Sequence, residues 1–377
     1  MTPFQLLIKP AGPDCNLQCI YCFYRRVSKL FPTGQVHRMS GEVLEEMIRQ
    51  YLSFRFPVSC FSWQGGEPTL CGLNFFQEAV RLQMKHGRNG QVVSNAFQTN
   101  GILLNQDWCR FFNQYKFLVG LSLDGPRYLH DFYRKKDSRG SWEGVMRAAR
   151  LLSEHGVEFN ILTMVTRKSE TKARELFHWF LDHNFRYLQF IPCLERLPQK
   201  GLAPFSATPE GYGDFLCELF DLWWENRNRQ ISIRLFDTVL ECLVYSRPTF
   251  CVFSPTCQSY LVVEHDGSIY PCDFFVSEDT CLGNLMEKPL EEIFHSPAYK
   301  RFGKRKSVLP DECRRCQWLS LCWGGCQKDR VDRQGKPAAK TLFCRSYRQF
   351  FSHAMPRLMS LVKGLQSSTR LQRWQEC

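Results

Sequence analysis

Cys15, Cys19 and Cys22 place three thiols on one short loop, within the string CNLQCIYCF. In an iron–sulfur cubane each of about four irons takes one thiolate, so three protein ligands leave one iron open to an outside chelator. An amino and a carboxylate group on one small molecule suit that position, and an electron from the cluster can then break a bond in the bound molecule. A zinc site completed from elsewhere is the alternative, although zinc knuckles favour paired CxxC groups. Eight further cysteines follow as Cys251-x5-Cys257-x14-Cys272, Cys313-x2-Cys316-x5-Cys322-x3-Cys326 and Cys344. They make two sets of four, and full ligation leaves no open iron, which suits electron transfer. Spacing alone does not assign the sets, and Cys313-x2-Cys316 by itself would favour zinc. Cys60, Cys71, Cys109, Cys193, Cys217, Cys242, Cys281 and Cys377 lack such spacing and read as small hydrophobes.

A parallel α/β framework must position the first loop. Strand-like runs at Gln5–Lys9, Cys60–Gln64, Val92–Gln98, Leu118–Leu123, Phe159–Val165 and Tyr187–Pro192 alternate with amphipathic stretches near 40–54, 73–86, 105–114, 141–155 and 171–183. Leu44, Met47, Ile48 and Leu52 show the helical period in the first of these. The pattern means βαβ units, as a doubly wound sheet or an incomplete barrel. Chemistry in such folds gathers at the C-terminal strand ends. Here those ends carry the cysteine loop, Gln64-Gly65-Gly66-Glu67-Pro68, Gln98-Thr99-Asn100-Gly101, Ser122-Leu123-Asp124-Gly125-Pro126 and Pro192-Cys193-Leu194. A helical connector near 209–245 carries Phe215, Leu219, Leu222 and Trp223 at core spacing, and after Pro248 the texture turns to cysteine, glycine and charge. Asp266-Gly267 reads as a hairpin turn, and the tail beyond 358 as polar and loose.

The chain has 377 residues, 19 of them cysteine, and a formal charge of +12. Apolar residues make up 44%, enough to bury a sizeable core. No apolar run is long enough to span a membrane, and Lys9 and Pro10 interrupt any signal peptide, so a cytoplasmic location is expected. Disulfides do not persist there, which leaves metal ligation to explain the bunched cysteines. With eleven thiolates on three cubanes the cluster sites carry about −5, leaving about +7 overall. The richest basic run, Lys300-Arg301-Phe302-Gly303-Lys304-Arg305-Lys306, lacks aromatic interleaving and reads as a solvated face rather than a nucleic-acid site.

CNLQCIYCF resembles the signature of the radical S-adenosylmethionine superfamily, and Gly65, Gly66 and Glu67 resemble its GGEP motif. That resemblance implies a partial (β/α)6 barrel, a cluster on Cys15, Cys19 and Cys22, and S-adenosylmethionine as cosubstrate, cleaved to a 5′-deoxyadenosyl radical. The backbone and carboxylate of the GGEP motif would then receive the cosubstrate's amino group. The C-terminal cysteines resemble a SPASM domain. They imply [4Fe-4S] ligand sets of Cys251, Cys257, Cys272 and Cys326, and of Cys313, Cys316, Cys322 and Cys344, three clusters in all.

LLIKP, CIYCFY, QGGEPTLCGL, FQTNG, FLVGLSLDGP, LQFIPCLE and YPCDFF together resemble the anaerobic sulfatase-maturating enzymes, from about Leu6 to Leu358. The departures are Gly12-Pro13-Asp14 and the basic segment 25–38, which touch no expected ligand. The resemblance implies oxidation of a cysteine or serine in a sulfatase to Cα-formylglycine (3-oxoalanine). Asp273 is then the general base; a turn aspartate is the bland reading. Tyr21, Gly66, Ser122, Arg134 and Leu194 become cosubstrate contacts, Arg134 pairing with the methionine carboxylate. Tyr24, Gln64 and Gln98 become substrate contacts. The partners are an unfolded or nascent sulfatase chain bearing Cys/Ser-x-Pro/Ala-x-Arg and a reductant such as flavodoxin or ferredoxin, with no nucleic acid and no membrane. The implied organisation is a radical domain at 1–208, a helical connector at 209–248, an auxiliary-cluster domain at 249–358 and a polar tail at 359–377. A SPASM-type maturase forming thioether or carbon–carbon links is the near alternative. A zinc-containing nucleic-acid-binding protein is the distant one.

Overall fold

Strand and helix alternate from Gln5 onward, as the periodicity predicts. The structure is a computed structural model and describes residues 3–32, 34–197, 200–246 and 248–367. The chain begins with β1 (Gln5–Lys9), α1 (Gly41–Ser53), β2 (Val58–Trp63), α2 (Leu73–His86), β3 (Val92–Thr99), α3 (Gln106–Gln114) and β4 (Leu118–Ser122). Next come α4 (Arg127–Tyr133), the ribbon β5 (Lys135–Lys136) and β6 (Arg139–Gly140), α5 (Trp142–Glu154), β7 (Phe159–Val165), α6 (Ala173–Asp182) and β8 (Tyr187–Pro192). β9 (Arg196–Leu197), β10 (Gly201–Leu202), α7 (Pro209–Glu225), β11 (Ser232–Ile233) and α8 (Arg234–Tyr245) precede β12 (Tyr260–Glu264), β13 (Ser268–Tyr270) and β14 (Gly283–Asn284). Five helices follow: α9 (Leu290–His295), α10 (Pro297–Arg305), α11 (Asp311–Arg314), α12 (Leu319–Cys322) and α13 (Cys344–Ser367).

The chain divides into two compact units, one from Met1–Leu162 and Thr256–Arg305, the other from Thr163–Pro255 and Lys306–Cys377. In the first, β4, β3, β2, β1 and β12 lie side by side in parallel, with β7 joining β4 through Phe159–Leu162. The register sets Lys9 opposite Glu264 and Leu121 opposite Thr99, so the C-terminal strand ends share one edge. Alternate residues face inward: Leu6, Ile8, Phe61 and Trp63 are each at most 1% exposed. Phe76 and Phe97 meet edge to face at 4.9 Å in the layer beneath α2. Ser40 caps α1 by accepting the Val43 amide at 3.2 Å, and Leu44, Met47, Ile48 and Leu52 form its buried face. The expected hairpin joins β12 to β13, with Gly267 at φ +86 and the Ser268 amide held by Asp266 Oδ1.

In the second unit β8 pairs in parallel with β11, and the Cys193 amide donates to the Val165 carbonyl at 2.8 Å. The expected connector is two helices, α7 and α8. Thr208 caps α7, and Phe236 of α8 stacks on Phe350 of α13 at 5.3 Å. α13 runs on through Ser367, so the tail is not loose from 359 as expected. Ala354, Leu358 and Val362 are buried at helical spacing and prolong its apolar stripe. Residues 368–377, including Cys377, lie outside the described residues.

One charged run also differs from expectation. Lys300, Arg301, Lys304 and Arg305 are exposed on α10, but Lys306 is fully buried, its ammonium capping the Cys251 and Val252 carbonyls at 2.6 and 2.8 Å. Of the cysteines read as small hydrophobes, Cys109, Cys193 and Cys242 are buried, Cys60, Cys71 and Cys217 are partly so, and Cys281 is exposed.

Candidate functional site

The cysteine loop leaves the end of β1 and is stitched to the loop after β2. The Gly66 amide donates to the Gly12 carbonyl at 2.9 Å, and the Glu67 amide to the Asp14 carbonyl at 2.8 Å. A Cβ on Gly66 would lie 1.8 Å from the Asp14 carbonyl oxygen, and Gly65 sits at φ +132. Bare glycines are therefore needed because two backbones touch here. On its outer side the loop is tied by Gln18 N–H to Lys135 O at 2.7 Å and Ile20 N–H to Tyr133 O at 2.9 Å.

The three thiols of this loop act on one another. Burial, with the Glu67 carboxylate and the other two thiols adding to it, pushes Cys15 up to about 12. Burial pushes Cys19 up to about 11 against the opposing pull of Arg134. The Leu17 amide and the Asn100 side-chain amide both aim at the Cys15 sulfur, at 3.4 and 3.7 Å. Amide donors around a thiolate are what an iron–sulfur ligand accepts. Among the described residues, no group of three or more His, Cys, Asp or Glu is arranged to hold a single metal ion. The fit to a cluster rests on the thiol donor set and on the N–H groups directed at it.

Behind the loop, Arg134 closes α4 and is buried, with Nε 3.0 Å from Asp124 Oδ2. The Tyr21 hydroxyl donates to the same Asp124 oxygen, and the Arg134 guanidinium lies 5.4 Å from the Tyr21 ring centre. Ser122 is buried at the end of β4. The Glu67 carboxylate, expected to meet a cosubstrate, already accepts from the Thr69 amide and hydroxyl, the Thr99 hydroxyl and the Asn100 amide at 2.7–3.1 Å. Burial raises its pKa.

A second constellation sits at the ends of β1, β12 and β13. Asp273 directly follows Cys272, and its Oδ2 lies 3.6 Å from Lys9 Nζ. The Tyr260 hydroxyl lies 3.2 Å from the Cys272 sulfur. Cys257 and Cys272 both act electrostatically on Tyr299. Tyr24 is buried among Val27, Val262, Tyr270 and Val276, with its hydroxyl given to Glu264. Gln64 is half-buried at the end of β2, its amide bonded to the Ile8 carbonyl at 2.8 Å, and Gln98 is exposed.

In the second unit Cys313, Cys316, Cys322 and Cys344 line one cavity of about 350 Å³, with Trp318, Leu319, Tyr347 and Phe351 around them. Cys322 is pushed up to about 11 by burial, with Cys344 and Cys313 adding to it. Four thiols lining one space fit a fully ligated cluster. Cys326 acts on Tyr347 alongside Cys322. Leu194 is buried beyond the end of β8.

Two family models match, the radical SAM superfamily over residues 10–180 and SPASM, an iron–sulfur cluster-binding domain, over 251–317. The chain is 40% identical to the cysteine-type anaerobic sulfatase-maturating enzyme of Clostridium perfringens (strain 13 / Type A), over 97% of this chain and all of the relative. The chain belongs to the anaerobic sulfatase-maturating enzymes. The serine-type member from Bacteroides thetaiotaomicron is 36% identical over 96% of this chain and 92% of the relative. The solved structure of native anSMEcpe with bound AdoMet and Cp18Cys peptide superposes with a TM-score of 0.89 at 39% identity, covering 97% of this chain and 100% of that one. Streptococcus suis SuiB, at 16% identity and a TM-score of 0.64, shares the fold alone.

In this sulfatase-maturating enzyme Lys9, Asp124 and Glu264 are site residues that no motif marked out individually. Lys9 and Glu264 each end a strand, and Asp124 stands inside the SLDGP string. For Lys9 and Asp124 a charged residue at the C-terminal end of an expected parallel strand was the available signal; Glu264 had none, because its strand was not among those expected.

Proposed function

We propose that the protein oxidises a cysteine or serine side chain of a sulfatase polypeptide to Cα-formylglycine, using S-adenosylmethionine and iron–sulfur clusters. The observation that carries this reading is the buried carboxylate of Asp273 next to Cys272 and 3.6 Å from Lys9, in a chain with full-length likeness to maturating enzymes. In this reading Cys15, Cys19 and Cys22 hold the radical-generating cluster. Cys313, Cys316, Cys322 and Cys344 hold one auxiliary cluster, and Cys251, Cys257, Cys272 and Cys326 follow as the ligand set of another, three clusters in total. When bound, these groups supply one-electron chemistry, starting the reaction by cleaving S-adenosylmethionine and taking up the last electron.

The chain's own residues do the rest. Tyr21, Gly65, Gly66, Glu67, Ser122, Arg134 and Leu194 seat the cosubstrate. Asp124 orients Arg134, so the guanidinium meets a methionine carboxylate with a fixed geometry. Tyr24, Gln64 and Gln98 border the substrate, Tyr24 from a buried position. The target loses a hydrogen atom from Cβ, a proton from sulfur or oxygen, and one electron. Asp273 takes the proton. A serine yields the aldehyde directly, and a cysteine yields a thioaldehyde that exchanges its sulfur with water.

The target is read as a sulfatase chain, unfolded or nascent, carrying Cys/Ser-x-Pro/Ala-x-Arg. The reductant is an electron donor such as flavodoxin or ferredoxin, and the setting is the cytoplasm, away from membrane and nucleic acid. Among the described residues no helix is long and apolar enough to cross a membrane.

The test is anaerobic incubation with S-adenosylmethionine, a reductant and a Cys-x-Pro-x-Arg peptide or its serine counterpart. Mass spectrometry should find the aldehyde and matching 5′-deoxyadenosine. A crosslinked peptide without aldehyde would transfer the chain to the linking maturases. Zinc in place of iron and sulfide in anaerobically purified protein would end the radical reading.

A further inference from the structure

Lys9 and Glu264 close neighbouring parallel strands in register, and they are only 1% and 0% exposed. Lys9 serves two partners: its ammonium is 3.6 Å from Asp273 Oδ2 and 4.5 Å from the centre of the Tyr24 ring. Tyr24 donates its hydroxyl to Glu264 Oε1. Among the described residues Glu264 Oε2 has no hydrogen-bond partner, and it lies 3.9 Å from His265 Nδ1, which has none there either. A fully buried carboxylate held by a single phenol is an expensive way to fill a core position; leucine would fill it with less desolvation cost.

We infer that Glu264 is a positioning residue for the oxidation, acting on Asp273 through Tyr24 and Lys9. Its carboxylate fixes the Tyr24 ring by accepting the hydroxyl. The ring face fixes the Lys9 ammonium by cation–π attraction. The ammonium fixes the Asp273 carboxylate. Glu264 touches no reacting atom, and this inference rests on reading Asp273 as the base. Without the acceptor the packed ring loses the one polar anchor that sets its tilt, so the ammonium's platform shifts and the base loses its aim. Proton removal is then too slow to compete with quenching of the substrate radical, so S-adenosylmethionine is consumed without product.

The experiment compares Glu264→Leu, Glu264→Gln, Tyr24→Phe and the Glu264→Leu/Tyr24→Phe pair. It reads iron content, thermal unfolding of the cluster-free chain, and formylglycine formed per 5′-deoxyadenosine. Glu264→Leu/Tyr24→Phe, which removes donor and acceptor together, should keep its iron and unfold at the wild-type temperature or above, while Glu264→Leu lowers product per 5′-deoxyadenosine about tenfold. Glu264→Gln keeps an acceptor and should recover most of that loss. Tyr24→Phe, which also trims a residue bordering the substrate, should lose at least as much coupling as Glu264→Leu, and the pair should be no worse than Tyr24→Phe alone. Undiminished coupling in Tyr24→Phe overturns the inference, as does additive loss in the pair. Equal loss in the leucine and glutamine variants, or lower iron and unfolding temperature in step with lost product, overturns it as well. Failure of the underlying reading looks different: Asp273→Asn would then make product as the wild type does.

Discussion

Arg134 Nε lies 3.0 Å from Asp124 Oδ2, both side chains at most 10% exposed, and that contact ties α4 to the end of β4 beside the cysteine loop. Removing one member of a buried pair strands the other charge, at a cost of about 3–5 kcal/mol. Arg134→Gln should therefore lower the denaturant midpoint and weaken S-adenosylmethionine binding together. A urea unfolding curve checks the first effect and calorimetric titration of the cosubstrate against the cluster-loaded variant the second; wild-type affinity would remove Arg134 from the cosubstrate site.

Asp273→Asn keeps the size of the side chain and removes its basicity. Deoxyadenosine release should continue while formylglycine falls by about a hundredfold or more. Product and deoxyadenosine counted in the same quench separate the two.

Gly66→Ala puts a methyl group where the Asp14 carbonyl already is, 1.8 Å from the new Cβ. The cysteine loop must then move, at a cost of about 1–3 kcal/mol or more. Reconstituted protein should contain less iron and show a weaker signal from the site-open cluster, while the Cys313 group loads normally. Wild-type iron in this variant would show that the two backbones can part without consequence.

Cys322→Ala removes one of the four thiols around the 350 Å³ cavity. Iron should drop by about four atoms per chain, one cluster's worth. Deoxyadenosine formation should survive and aldehyde formation should not. Unchanged iron would mean that the cavity does not hold a cluster.

His130 supplies a pH signature. It is fully buried, its Nδ1 faces the Asp124 amide at 3.3 Å, and its Nε2 lies 2.9 Å from the Ser141 hydroxyl. Burial pulls its pKa down to about 4. The unfolded chain binds a proton near pH 6.5 that the folded chain refuses, so stability falls as pH drops from about 6.5 to about 4. The loss from this group is about 2 kcal/mol at pH 5, and above pH 6.5 it contributes no slope. Urea midpoints at pH 7.5 and 5, for wild type and His130→Gln, check it: the variant should lose part of the slope.

Much of the α/β framework was legible because parallel strands and amphipathic helices repeat their patterns locally. β1, β7 and β8 begin and end at the expected residues. The partner of β1 on its far side was not legible. Asp266-Gly267 marked the hairpin, but nothing in a local window says that its first strand lies beside Gln5–Lys9. The same distance hid the second constellation. Lys9 read as a break in an apolar leader, whereas it is buried between Asp273 and Tyr24. The cysteines were visible as types and spacing, but spacing left the sets open; the resemblance implied the grouping of Cys344 with Cys313, Cys316 and Cys322, which line one cavity. The helix past residue 358 was missed because the polar composition of its end outweighed a buried stripe of only a few side chains.

The pairing of β1 with β12 has a consequence for synthesis. On the ribosome, Gln5–Lys9 emerges early and waits with one edge open until Tyr260–Glu264 follows. An unpaired hydrophobic edge is a liability throughout that interval. Each unit takes residues from both halves of the chain, so neither can finish before the last third is made. Cluster loading is therefore expected to follow release of the chain. Fragments that stop near residue 250 should precipitate rather than yield a working radical half.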